Sequence, residues 1–420
     1  MRHAQELRSC YINTDGKNTD EMTTSLSPLF IQTMNAAVGY WRGQTAGLDD
    51  ARIGWLDRER QNLYRVVAFG LQRLETWPAA AEVALQAFDL VERRGYGQQW
   101  IPILETAVAR CGNEHHELKC RLLNRLGFFY RQERRLDAAV AMHQEAETLA
   151  RAVGDRQGLA EAFYYQGGDY LEKRAYAEAQ RCALAALAAF DELENVERWL
   201  AWSYMMLGII ARNRGDLEAA AAHLREAVAR WRALMRTAPL ARTLNDLGNA
   251  LWPAGQVTEA EACFVEAACL LGPTAYELDK TLTQLSLGTF YYHQQQWGKA
   301  ESAFRHADSL YLRQSGHVVY QAHVANNLGS VLLKRGYPAE AEYYLRRALH
   351  LWQQAGDDVP RANTLGTLGQ ALAAQGQAAT ALTLFEEAIA LLQPYPDDYW
   401  AGRLIQDFTA ERETLKNSQQ

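Results

Sequence analysis

The sequence lacks any long apolar segment. In 420 residues there is no uninterrupted apolar run of the roughly 18 residues that a membrane-spanning helix needs. The first twenty residues are polar and contain no apolar core of the kind found in secretory signals. These absences exclude a spanning helix, and we expect a cytoplasmic protein with no membrane partner.

Familiar catalytic motifs are also missing. The sequence contains no Gly-x4-Gly-Lys-Ser/Thr phosphate loop and no Gly-x-Gly-x-x-Gly, His-Glu-x-x-His or Gly-x-Ser-x-Gly motif. Carboxylates are spread over turns and helices without an accompanying base and nucleophile. We therefore predict that the chain is not an enzyme and needs no cofactor. A net charge of -7 argues against a nucleic-acid partner.

Cysteines are few and scattered, which favours reduced thiols packed as small hydrophobic groups. They are Cys10, Cys111, Cys120, Cys182, Cys263 and Cys269. The segment from Cys111 through His115 and His116 to Cys120 has residue types that can ligate zinc. Gly112 and Asn113 are expected to end a helix between them, so a turn beside core cysteines is the favoured interpretation and no metal is predicted. Cys263 and Cys269 are likewise expected in the core.

A repeat of 40 or 41 residues dominates the rest of the sequence. Small residues mark three positions of each copy. Glycine occurs at Gly127, Gly167, Gly208, Gly248, Gly288, Gly329 and Gly369. Alanine follows twelve residues later at Ala139, Ala179, Ala220, Ala260, Ala300, Ala341 and Ala381. Alanine occurs again nineteen residues after each glycine at Ala146, Ala186, Ala227, Ala267, Ala307, Ala348 and Ala388. Such regularity predicts a stack of identical supersecondary units.

Each copy is interpreted as a helical hairpin, helix A followed by helix B. In the sixth copy we expect helix A over 317–334, a turn at 335–338 and helix B to about residue 354. Glycine inside an exposed helix costs about 1 kcal/mol relative to alanine. Its recurrence therefore indicates close approach of helix A to helix B. A single hairpin cannot bury its apolar face, so the hairpins must stack.

These three small positions resemble the tetratricopeptide repeat (TPR) family, over roughly residues 114–393. The departure is length, because the usual unit has 34 residues, and the longer unit resembles that of kinesin light chains and bacterial regulators of the maltose-activator type. The resemblance implies an all-α fold, a right-handed superhelical solenoid of antiparallel helix hairpins whose concave groove is built by the A helices.

The family's groove positions lie six and three residues before the repeat glycine and one, four and five after it. At these positions arginine, asparagine and aromatic residues predominate over carboxylates. Arginine can fork onto a carboxylate and asparagine can bond a peptide backbone. The predicted partner-binding residues are Arg121, Asn124, Arg131, Tyr164, Trp202, Arg212, Asn213, Arg242, Asn245, Asn249, Trp252, Tyr292, His293, His323, Asn326 and Lys334.

The resemblance and this composition predict a non-catalytic scaffold that binds a protein or peptide with an acidic or carboxylate-bearing segment. A homo-oligomer is compatible with the sequence. Five regions are expected: a loose arm at 1–30, a helical segment at 31–76, a degenerate capping repeat at 77–113, seven repeats at 114–393, and a capping helix with a tail at 394–420.

A second hypothesis comes from the segment before the repeats. Trp55-Leu56-Asp57-Arg58-Glu59, followed by Asn62-Leu63, resembles the segment that joins the nucleotide-binding part of bacterial STAND-type regulators to their repeat sensor. This resemblance implies a ligand-sensing repeat module of a signalling or transcription regulator that lacks its ATPase domain.

Overall fold

In the computed structural model of the chain, residues 28–46, 50–112, 114–272, 277–311 and 318–417 are described. Within these ranges every regular element is a helix and there is no strand, which confirms the all-α prediction. Most of the expected arm at 1–30 lies outside the described residues. No helix in the described ranges combines the length and apolarity that crossing a bilayer would require.

Five helices precede the repeats in this part of the chain. They are α1 (Pro28–Thr45), α2 (Asp50–Leu71), α3 (Trp77–Gln86), α4 (Phe88–Arg94) and α5 (Gly97–Arg110). Helix α1 begins at Pro28, slightly before the boundary expected at residue 31. Trp55 of α2 stacks on Trp41 of α1, with ring centroids 5.8 Å apart. In the expected capping repeat, the first helix is divided at Ala87 into α3 and α4, and α5 is its second helix.

Seven hairpins follow, and we number them units 1 to 7. Unit 1 is α6 (His116–Gln132) and α7 (Leu136–Val153), unit 2 is α8 (Arg156–Glu172) and α9 (Tyr176–Asp191), and unit 3 is α10 (Glu197–Asn213) and α11 (Leu217–Ala233). Unit 4 is α12 (Thr237–Leu251) and α13 (Val257–Leu271), and unit 5 is α14 (Glu277–His293) and α15 (Trp297–Tyr311). Unit 6 is α16 (Val318–Lys334) and α17 (Pro338–Ala355), and unit 7 is α18 (Asp358–Ala374) and α19 (Ala378–Leu392).

The chain ends on α20 (Tyr399–Asn417), which covers unit 7 through Ala401 and Phe408. Each hairpin packs against the next, so the molecule is a solenoid of antiparallel helix pairs, as the repeat predicts. The longer unit adds about a turn to each helix relative to the usual 34-residue repeat.

The small positions make close contact between helices A and B of one unit. All fourteen alanines of the two B-helix positions have no exposed surface. A Cβ atom added to Gly248 would come within 2.6 Å of the Phe264 ring, and one added to Gly208 would meet Leu224 at 2.5 Å. In six of the seven units, all except unit 2, the space above the repeat glycine is thus filled by the B-helix residue sixteen positions later.

Gly248→Leu is expected to destabilise the fold by about 1–3 kcal/mol, because overpacking forces the Phe264 ring and the two helices of unit 4 apart. Urea unfolding followed by circular dichroism measures this loss. The control is Glu259→Leu at an exposed position of α13, where a change within about 0.5 kcal/mol is expected. Equal losses in the two variants would contradict this packing.

Candidate functional site

Arg242 of α12 lies at the centre of the inner face of the superhelix, and it is already held by two carboxylates. Its Nε donates to the carboxylate of Asp279 in α14, and its Nη1 lies 3.9 Å from Oε1 of Glu92. Burial alone would lower the pKa of the guanidinium, but Asp279 and Glu92 together raise it above its ordinary value. Arg242, predicted from the sequence as a binding cation, therefore has its charge balanced by Asp279 and Glu92 of the same chain.

Glu92 belongs to α4, before the first unit, whereas Arg242 belongs to unit 4. Their contact therefore crosses the superhelix from one wall to the other. Burial raises the pKa of the Glu92 carboxyl group despite the nearby Arg242, because removal from water disfavours the charged form. The inner face is narrow here, since side chains of opposite walls are within ion-pair distance.

The other groove arginines are also paired. Arg212 lies 3.2 Å from Asp246 and Arg131 lies 3.3 Å from Asp169. Arg121 bonds Glu82 of α3 at 3.1 Å. The excess of positive charge expected at the family's groove positions is therefore neutralised by carboxylates that lie outside those positions.

Three predicted asparagines are buried, two of them against a neighbouring A helix, which corrects the expectation that they face the open groove. Asn245 donates to Thr283 Oγ1 at 2.8 Å, and Asn326 accepts from Thr364 Oγ1 at 2.9 Å. Asn124 is 1% exposed, and neither polar atom of its side chain has a hydrogen-bond partner among the described residues. In units 4 and 6, the position three residues before the glycine thus joins adjacent A helices.

Other predicted residues keep surface on the inner side. Asn249 and Asn213 are half-buried, and Asn249 reaches Ser286 Oγ at 3.5 Å. Trp252 stacks on His293 with centroids 4.3 Å apart. Tyr292 packs edge-on against Trp297. Together these residues form an aromatic and amide surface across units 3 to 5.

Aromatic contacts also fix the predicted residues of units 2, 3 and 6. Trp202 packs edge-on against the buried Trp231, with centroids 5.0 Å apart. Burial raises the pKa of Tyr164 to about 12. His323 packs against Trp352 at 4.7 Å and keeps exposed surface, although enclosure by protein lowers the pKa of its imidazole to about 4. Lys334 is exposed at the end of α16.

The inner face also contains residues that the 34-residue register leaves out. Asp279 and Tyr320 lie nine residues before their repeat glycines, one turn earlier than the first family position. Because the A helices are longer than usual, this extra turn reaches the inner face. Burial raises the pKa of Tyr320, and Arg242 opposes this effect. Extending the three-residue spacing by one turn would have found both residues from the sequence.

A buried His–Asp pair lies inside the stack. His143 Nδ1 is 2.5 Å from Asp169 Oδ2, its Nε2 is 3.1 Å from the Asn124 carbonyl oxygen, and both side chains are fully buried. A general acid–base pair must reach its substrate, so this pair serves structure. His143 is also the B-helix residue that covers Gly127.

The cysteines follow the expectation with one exception. Burial raises the pKa of the Cys120 thiol to about 12 and of the Cys111 and Cys263 thiols to about 11. Cys269 is exposed, so its expected core position is wrong. Cys10 lies outside the described residues. Among the residues with described positions, no three His, Cys, Asp or Glu side chains converge as a metal site would require.

Comparison with known sequences and structures agrees with this architecture. Tetratricopeptide repeat models match residues 320–393 and residues 200–235 and 240–270. No curated protein sequence matches the chain.

Solved structures of similar fold include a Rap protein in complex with competence and sporulation factor, at 15% identity and TM-score 0.53, covering 91% of this chain and 99% of that one. Aspartyl phosphate phosphatase F from Bacillus subtilis gives 15% identity and TM-score 0.54, with 90% and 97% covered. The quorum sensor NprR from B. thuringiensis, in its apo form, gives 14% identity and TM-score 0.53, with 86% and 99% covered. At these identities the likeness concerns the fold. Together with the repeat matches and the packing of the seven hairpins, it makes this chain a TPR-like repeat protein.

Proposed function

We propose that this chain is a non-catalytic scaffold whose inner face binds an extended protein or peptide segment carrying an acidic residue. The observation that carries the proposal is that Arg242 contacts its two carboxylates at different distances. Asp279 accepts a hydrogen bond from it, whereas Glu92 stands 3.9 Å away across the superhelix. A carboxylate of the partner can replace Glu92 at this guanidinium without disturbing Asp279.

The electrostatics favour such an exchange. The raised pKa of Glu92 means that its charged form is poorly stabilised in the closed inner face. Returning Glu92 to water offsets part of the cost of burying the partner's carboxylate. Two and three turns further along from Arg242, the half-buried Asn249 and Trp252 offer an amide for the peptide backbone and apolar area for a side chain.

Support also comes from the solved structures of similar fold. One is a Rap protein solved in complex with competence and sporulation factor, and another is the apo form of a quorum sensor. The alternative of a sensor module in a STAND-type regulator stays a prediction.

Panning a random peptide library against the immobilised protein tests the proposal. Sequences with Asp or Glu are expected to be enriched. Glu92→Gln should bind a selected acidic peptide more tightly, because it removes the competing carboxylate. The pair Arg242→Gln with Asp279→Asn removes the cation together with the carboxylate that is hydrogen-bonded to it. It should weaken binding about ten- to a hundredfold, the value of a charge-assisted hydrogen bond.

Arg225→Gln is the matched control, because Arg225 on α11 is exposed and pairs with Glu259. Circular dichroism verifies that each variant is folded. Acidic peptides bound equally well by wild type and by the Arg242–Asp279 double variant, or lost equally in Arg225→Gln, would contradict the proposed site.

A further inference from the structure

The turn between helices A and B contains one residue of left-handed backbone in each unit, seven residues after the repeat glycine. In four units it is glycine, with φ of 83°, 82°, 83° and 82° at Gly215, Gly255, Gly336 and Gly376. In the other three it is Arg134 at 60°, Arg174 at 58° and Gln295 at 58°. A side chain disfavours this conformation. An arginine here, where glycine serves other units, points to a role for the side chain.

Arg174 reaches residues far along the chain. Its Nη1 donates to Asp398 Oδ2 at 2.6 Å and its Nη2 to Asp357 Oδ1 at 3.3 Å. The Tyr176 hydroxyl donates to the same Asp398 oxygen at 2.8 Å. Arg134, at the equivalent position of unit 1, lies 3.5 Å from Asp357 Oδ2. We call these five residues the clasp.

The clasp joins the turns of units 1 and 2 to the connectors on either side of unit 7. Asp398 is 1% exposed on its side chain and also accepts from the backbone of Trp400 and Ala401 at the start of α20. Tyr399 packs against Gly215, where an added Cβ would lie 2.8 Å from its ring. The solenoid is thus closed on itself after one superhelical turn.

The clasp borders the inner face. The charges of Asp357 and Arg174 both act on His323, an inner-face residue of unit 6. The inner face is too narrow at Arg242 and Glu92 for a peptide to lie between them without displacing a wall. Widening it must move the early units away from unit 7, and the clasp resists that movement.

We infer that the clasp is a built-in autoinhibitory contact that keeps the superhelix closed around its inner face and is released when a partner segment enters. The closure itself is independent of the proposed function, whereas the gating of entry rests on it. Removing the Arg174 side chain breaks its ion pairs with both Asp357 and Asp398. The buried Asp398 then keeps its hydrogen bond from the Tyr176 hydroxyl.

Two variants at the same turn position test the clasp on the full chain. Arg174→Gly removes the clasp cation that pairs with Asp398 while relieving the left-handed backbone. Gln295→Gly makes the equivalent change in unit 5, where the described residues show no contact between distant units for this side chain. Small-angle X-ray scattering should show a larger radius of gyration for Arg174→Gly and no change for Gln295→Gly. Arg174→Lys, which keeps a cation, should stay closer to wild type.

The affinity for a library-selected acidic peptide tests whether the clasp limits entry of a partner segment. Arg174→Gly should bind it several-fold more tightly than Gln295→Gly does, mainly through faster association. An Arg174→Gly variant as compact as wild type would overturn the clasp, whatever the binding result. Expansion without tighter binding would overturn the gating role. If no peptide is selected by any variant, the proposed function fails, and the scattering comparison still decides the clasp.

Discussion

His143→Leu is expected to cost about 3 kcal/mol of stability, because a buried carboxyl group that loses its hydrogen-bond partner incurs a desolvation penalty at the upper end of roughly 1–3 kcal/mol. His143 and Asp169 are both fully buried, and their side chains are 2.5 Å apart. Without the imidazole, the Arg131 guanidinium at 3.3 Å is the one side-chain partner of Asp169 that is left among the described residues. The Asn124 carbonyl oxygen also loses its His143 partner.

The repeat itself supplies the rescue variant. In unit 3 the residue equivalent to His143 is Leu224, and the residue of unit 4 equivalent to Asp169 is Ala250; both are fully buried. His143→Leu with Asp169→Ala therefore copies an apolar solution that the chain already uses. Replacing both partners of a buried hydrogen bond by apolar groups can be nearly neutral or stabilising.

Urea unfolding of wild type, the single variant and the double variant measures both effects. We expect the double variant to recover most of the stability lost in His143→Leu. If the double variant were as unstable as the single one, the unpaired Asp169 carboxyl group would not be the cause of the loss.

Trp231→Ala is expected to cost about 3–5 kcal/mol, because it empties a large cavity in the core of unit 3. Trp231 is among the largest fully buried side chains, and it supports Trp202 of the inner face. Its indole N–H has no hydrogen-bond partner among the described residues. Trp231→Phe should therefore cost clearly less, since it keeps apolar volume and leaves no polar group unpaired.

Thermal unfolding followed by circular dichroism compares these variants. Met235→Ala is the control, because the Met235 side chain is 88% exposed two residues after the end of α11 and should change stability by less than about 0.5 kcal/mol. A Trp231→Phe loss as large as that of Trp231→Ala would show that the indole makes a polar contact that matters. Loss of Trp202 support should also weaken binding of the selected peptide to the alanine variant.

The periodicity of small residues predicted the fold closely, because each small position has the same packing reason in every unit. In the sixth unit the expected helix A at 317–334 is found as Val318–Lys334, and helix B extends to Ala355. The expected final helix is found as Tyr399–Asn417. Local spacing determines which residues of a hairpin meet, and the sequence displays that spacing directly.

The candidate site was less predictable, because it depends on contacts between distant units. A count of groove positions finds Arg242 but not Glu92 or Asp279, its counter-charges. The buried position of Asn245 follows from the way adjacent A helices lie side by side. The ion pair between Arg174 and Asp398 spans 224 residues, and no pattern within one repeat encodes it. Only the accumulated curvature of the stack brings these residues together.

Unit 2 differs from its neighbours in how its repeat glycine is covered. In the other units the glycine is covered by a large B-helix side chain of the same hairpin. In unit 2 the equivalent residue is the small Ala183, and the space is filled by Met206 of unit 3. A Cβ atom added to Gly167 would lie 2.7 Å from the Met206 sulfur. The interior of unit 2 is therefore completed only when its successor is in place. In a linear repeat array, a core that is completed by the next hairpin makes the two hairpins fold as one cooperative unit. The boundary between units 2 and 3 is thus the poorest place to divide the chain, and during synthesis unit 2 reaches its final packing only after the helix that carries Met206 has formed.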